Sequence, residues 1–120
     1  EQGHTDTVNA LAGRHKANVE AVSRCGTTAL MLAAWNGHTD TVNALAGRHK
    51  ANVEAARETG MTALMCAAEW GHTDTVNALA GRHNAYVEDV DEDGRTALMH
   101  AALHGHTDTV KALRRLGAIR

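Results

Sequence analysis

The side chains best suited to chemistry in this 120-residue sequence are nine histidines and two cysteines. His100 and His104 stand four apart, which on a helix puts both rings on one face. His106 follows closely, and Cys66 occupies the place of His100 one repeat length earlier. Imidazole and thiolate so arranged could hold a transition metal. No closed ligand set with supporting partners is visible, so His100/His104/Cys66 is a minor reading and no metal site is assigned. His4, His38, His72 and His106 recur every 34 residues. Helices packed side by side lie about 10 Å apart, too far to share an ion held at about 2.0–2.1 Å from each ligand, so these four read as structural. Catalysis finds less support. There is no Gly-rich phosphate loop, no nucleophile elbow and no HExxH, and Cys25 and Cys66 lack an evident activating base. The chain is expected to be no enzyme and to need no cofactor.

The elements that position these side chains follow from repetition. Residues 3–21 and 37–55 both read GHTDTVNALAGRHKANVEA; a near-copy begins at Gly71 and a fourth at Gly105. A period of this length is one supersecondary unit that buries its apolar face by stacking on copies of itself. Between these stretches lie VSRCGTTALMLAAWN, ARETGMTALMCAAEW and VDEDGRTALMHAALH. Their Gly, TALM and AA are constant. The differing positions are Val22/Ala56/Val90, Ser23/Arg57/Asp91, Arg24/Glu58/Glu92, Cys25/Thr59/Asp93, Thr27/Met61/Arg95, Leu32/Cys66/His100, Trp35/Glu69/Leu103 and Asn36/Trp70/His104. A constant frame with a few freely changing positions is what a binding surface on a scaffold needs.

Within residues 22–55, Gly26 suits a tight turn. Thr28 can cap, through its hydroxyl, a first helix that runs from Ala29 to Trp35, and Gly37 ends it. Thr39 is expected to cap a second helix, with Asp40 in its first turn, where the dipole favours a negative charge. Val42, Leu45 and Ala46 form the apolar stripe of that helix, and Gly47 weakens its end. Val53 should tuck against the next unit. Helices this short are unstable alone, so stability must come from neighbours.

Composition narrows the function classes. The net charge of −2 gives no basic footprint for nucleic acid. No apolar run is long enough for a membrane span, and no signal peptide is visible. The two cysteines sit at unrelated places in their repeats, which argues for free thiols; a soluble, cytoplasmic-type domain is expected, and a monomer. Proline and phenylalanine are absent, and Trp35, Trp70 and Tyr86 all lie where copies differ.

GTTALMLAAWNGHTDTVNAL, GMTALMCAAEWGHTDTVNAL and GRTALMHAALHGHTDTVKAL resemble the ankyrin repeat, G-x-T-P-L-H-x-A-A-x-x-G-H followed by V-x-x-L-L. Ala29, Ala63 and Ala97 replace the family's Pro, and Met31, Met65 and Met99 its His. The internal unit is one residue longer than usual, near Arg48–Ala51. The resemblance implies an all-α solenoid of helix-turn-helix units with protruding turns. It is read as one domain: a partial repeat at 1–21, repeats at 22–55 and 56–89, and a capping repeat at 90–120. Lys111, Arg114 and Arg115 suit a cap, and the start within a first helix suggests trimming of a longer chain.

In such a stack, turn tips and first-helix faces form a concave surface. The resemblance therefore implies that Arg24, Cys25, Thr27, Arg57, Glu58, Thr59, Met61, Glu92, Asp93 and Arg95 at the tips contact a folded protein partner. Leu32, Trp35, Asn36, Cys66, Glu69, Trp70, His100, Leu103 and His104 on the first helices join them. Three repeats present a patch of the order of 800 Å². Trp35 and Trp70 would insert into partner pockets, Leu32, Met61 and Leu103 extend the apolar centre, and the charged tips set orientation. Tyr86 and Asn84 rank as rim contacts. A frame identical over 19 residues with divergent contact positions also resembles an engineered member of the family; a natural adaptor is the alternative.

Overall fold

The computed structural model describes residues 27–119. Within them lie three helix pairs. Helices α1 (Ala29–Trp35) and α2 (Thr39–Asn43) form the first. Helices α3 (Ala63–Glu69) and α4 (Thr73–Val76) form the second. Helices α5 (Ala97–Leu103) and α6 (Thr107–Arg115) form the third. The first helices stack α1 on α3 on α5, and the second helices form a parallel layer beside them. This is the expected all-helical stack; the protruding turn of the middle repeat is pinned by an isolated antiparallel bridge between Ala56 and Thr62.

Each first helix starts as its sequence dictates. Thr28, Thr62 and Thr96 are extended, and their hydroxyls accept from the amides of Met31, Met65 and Met99, which satisfies one orphan donor per helix. The following Leu-Met pair points inward: Leu30, Met31, Leu64 and Met65 are fully buried. Ala33, Ala34, Ala67 and Ala68 let neighbouring helices approach closely. Val42, Leu45, Val76, Leu79 and Leu113 supply the other half of the core, and Val53 packs against it as expected.

The second helices begin differently from expectation. Thr39 does not cap; the N-cap is His38, which makes no side-chain capping bond. The Thr39 hydroxyl instead lies 2.8 Å from the Thr75 hydroxyl one repeat on, and Thr73 pairs with Thr109 at the same distance. The histidines form a second ladder. His72 Nε2 donates to the Trp35 carbonyl at 3.0 Å, and His106 Nε2 to the Glu69 carbonyl at 2.9 Å. A carbonyl only accepts, so both rings carry their proton on Nε2. The Gly before each histidine leaves room for the next repeat's ring: a Cβ on Gly37 or Gly71 would lie 2.6 Å from Nδ1 of His72 or His106.

The extra residue of the internal repeats does not sit in a loop. Helix α2 widens to π geometry over Ala44–Arg48, and α4 over Asn77–Arg82. Gly47 and Gly81 therefore continue their helices rather than ending them. The amides of His49 and His83 reach back five residues to Ala44 and Ala78, and those of Ala51 and Ala85 reach Leu45 and Leu79. One extra residue in a helical turn is a π-bulge. Lys50 (φ 53°) and Asn84 (φ 58°) then reverse the chain in the left-handed region. Helix α6 lacks the extra residue, stays α-helical through Arg115, and uses Gly117 (φ 104°) for the same reversal.

Candidate functional site

Most of the described positions that differ between copies border two recesses that share a wall made by Trp35 and Arg57. The smaller, about 240 Å³, is bounded by Thr27, Met31, Leu32, Trp35, Arg57 and Cys66. The larger, about 390 Å³, is bounded by Trp35, Arg57, Thr59, Met61, Glu69, Asp91, Glu92, Asp93, Arg95, His100, Leu103 and His104. Their alignment follows from the stack, since equivalent turns and helices of successive repeats lie side by side.

Trp35 is half-buried and packs against the core, whereas Trp70 is 49% exposed. Their rings touch, with centroids 5.3 Å apart and planes tilted by 53°. Glu69 and His104 have the same sequence offset as Trp35 and Trp70, and Glu69 Oε2 lies 3.9 Å from His104 Nε2. The first-helix ends are thus joined diagonally from one repeat to the next, once by an aromatic pair and once by an acid and an imidazole. Leu32 and Leu103 are exposed, the latter by 61%, as are Asn36, Glu58, Thr59, Glu92, Asp93 and Arg95. Asn36 Nδ2 donates back to the Leu32 carbonyl. Asn36, Glu58 and Trp70 lie outside both recesses, and Tyr86 is exposed on the second loop. Arg24 and Cys25 lie outside the described residues.

Two expected contact residues are not on the surface. Cys66 is 1% exposed and His100 6% exposed. Their shared position is exposed as Leu32 in the repeat before but covered in these two repeats, where each first helix packs on the one that precedes it. Burial pushes the Cys66 thiol up to about 11, despite the positive charge of nearby Arg57, so it stays protonated and uncharged. His100 Nε2 donates to Asp91 Oδ2 at 2.8 Å. Asp91 Oδ1 accepts from the amides of Asp93 and Arg95 at 2.9 and 3.0 Å. Desolvation alone would raise the Asp91 carboxyl, but the Arg95 amide, His100 and the Asp93 amide outweigh it and hold it below its ordinary value. A buried imidazole thus locks a turn. His104 and His106 rings stack at 6.3 Å, while His106 is engaged with the Glu69 carbonyl. Among the described residues no three His, Cys, Asp or Glu side chains converge as a metal site.

Sequence reading missed Asp91 as a member of this site. The signal was present: an Asp two residues before another Asp and three before a Gly is the pattern of a side chain that caps its own turn. The middle repeat has Arg57 in place of Asp91 and Cys66 in place of His100. A guanidinium cannot accept from turn amides, so this lock is absent there. The Arg57 backbone still closes the turn, its amide donating to Met61 O at 2.9 Å and its carbonyl accepting from Gly60 N at 2.8 Å.

No curated protein matches the sequence significantly. Among the described residues no helix is long and apolar enough to cross a membrane. The model of ankyrin repeats in three copies matches residues 1–91 and 49–119. With paired helices, protruding turns and Gly-His ladders in place, the chain belongs to the ankyrin repeat family.

Proposed function

We propose that the concave face binds a folded protein partner without catalysis, using the two recesses and the Trp35–Trp70 pair. Ankyrin repeats generally serve as protein-binding, non-enzymatic scaffolds. The observation that carries the reading to this chain is the match between sequence variation and shape. Apart from Met31, the residues bordering the two recesses are positions that differ between copies, while the intervening frame is nearly invariant. Exposed Leu32, Trp70 and Leu103 supply an apolar centre, and Glu58, Glu92, Asp93 and Arg95 a charged rim, the anatomy of a protein interface. Neither Cys66 nor His100 is assigned direct contact; they support the surface from beneath.

The identical frame supports an engineered origin. Lys50 in the left-handed region and the widened helix turns support a natural duplicated repeat instead, because designs are built on idealised backbones. We give the backbone features more weight.

The test compares proteins retained by the immobilised chain with those retained by a Trp35→Ala/Trp70→Ala variant of verified fold, identified by mass spectrometry and followed by affinity measurement. A partner whose binding weakens by about 2 kcal/mol or more in the variant is the expected result. Partners that bind both equally well overturn the assignment.

A further inference from the structure

Arg57 is the one residue other than Trp35 that borders both recesses. Its Nε is buried and has no hydrogen-bond partner. No described acidic side chain pairs with it, and the thiol beside it is uncharged. The acidic groups of the face, Glu69, Asp91, Glu92 and Asp93, all border the larger recess. Among the described residues the smaller recess therefore has a cation and no anion, with apolar walls from Met31, Leu32 and Trp35. An unpaired guanidinium with a buried donor is costly to leave unmatched. Its planar fork fits one group above others, a carboxylate held by two parallel N–H bonds.

The neighbouring repeat shows the same turn position in its satisfied form. There Asp91 brings its own carboxylate to the turn and accepts from Asp93 N, Arg95 N and His100 Nε2. The middle repeat has a positive charge at that position, and its neighbour on the first helix, Cys66, cannot answer it.

We propose that the smaller recess takes a carboxylate of the partner protein, an Asp or Glu side chain with an aliphatic or aromatic neighbour, the acid pairing with Arg57 and the neighbour lying against Leu32 and Trp35. This deepens the protein-binding reading above and rests on it.

The experiment pans a displayed library of random twelve-residue peptides against the whole chain, with parallel measurements on Arg57→Gln, Arg57→Lys and Trp35→Ala variants whose folds are checked by circular dichroism. The expected peptides carry an Asp or Glu within two positions of a large apolar residue. Their affinity falls about tenfold or more in Arg57→Gln, with only partial recovery in Arg57→Lys. Changing the peptide acid to its amide costs the same on the wild-type chain and little on Arg57→Gln. Melting of Arg57→Gln should be unchanged or higher, since an unpaired buried donor is removed. Peptides that depend on Trp35 but show neither acid enrichment nor sensitivity to Arg57→Gln overturn the carboxylate pairing and leave the binding face standing. A library yielding no peptide sensitive to either Trp35 or Arg57 overturns both.

Discussion

Substituting Gly71 by Ala should expose how much of the stack is held by its histidine ladder. Gly71 has φ +71°, and its missing Cβ would lie 2.6 Å from Nδ1 and 2.7 Å from Cγ of the His106 ring. Two costs combine. The left-handed backbone costs an L-residue about 1–2 kcal/mol. Displacing the ring forfeits the His106–Glu69 carbonyl bond, worth about 0.5–1.5 kcal/mol. The total is roughly 1.5–3.5 kcal/mol. Gly105 provides the comparison, because it has φ +75° but nothing within 4 Å of its Cβ. Gly105→Ala should therefore cost only the backbone term, about 1–2 kcal/mol. Urea unfolding followed by circular dichroism measures both. Repeating Gly71→Ala in a His106→Ala background completes the cycle, and there its cost should fall to that of Gly105→Ala. Equal costs for Gly71→Ala and Gly105→Ala, or an unchanged cost without the ring, would refute the ladder as a stabilising element.

Further outcomes follow from the same geometry. Lys50→Asn should raise the urea midpoint by an amount equivalent to about 0.5–1 kcal/mol, since Asn tolerates the left-handed conformation that Asn84 already adopts one repeat on; a lower midpoint counts against the strain assignment. Asp91 is held below its ordinary value of 3.8, so its contribution is present above that pH and lost as pH falls through the lowered value. Asp91→Asn should accordingly cost about 1–3 kcal/mol near neutrality, with the gap from wild type closing in melts taken from pH 6 towards pH 2.5; a constant gap would contradict the charge-assisted lock. In a Cys25→Ser background, Cys66 should be alkylated by iodoacetamide at pH 8 at least about tenfold more slowly than free cysteine, because the thiol is buried and pushed up to about 11; fast labelling would show that this helix opens readily.

The period, the helix pairs and the threonine caps of the first helices were legible because each is a local signal. Thr28, Leu30 and Gly37 need only their own turn of chain to declare cap, core and stop. What was not legible depends on the neighbouring repeat. Thr39 looks like a cap until Thr75 is brought within hydrogen-bonding reach. Cys66 and His100 occupy variable positions, and only the packing of successive first helices shows that the position is covered in these repeats while Leu32 stays exposed. The Trp35–Trp70 contact joins non-equivalent positions of two repeats, so comparing equivalent columns could not find it. The extra residue near Arg48 was visible as a length, but a loop and a widened helix turn absorb one residue equally well on paper. The convergence of variable positions on two recesses was anticipated as a surface, whereas Arg57 as their shared wall required coordinates.

The hydrogen bond from His72 to the Trp35 carbonyl spans 37 residues and points one way along the chain. The ends of helices α1 and α3 are completed by the repeats that follow them, His106 repeating the arrangement for Glu69. During synthesis a newly emerged repeat must wait for its successor before that carbonyl finds its protein partner. The stack consequently matures with a direction, each unit finished from its C-terminal side, and an interrupted chain ends on a unit whose first helix has one contact outstanding.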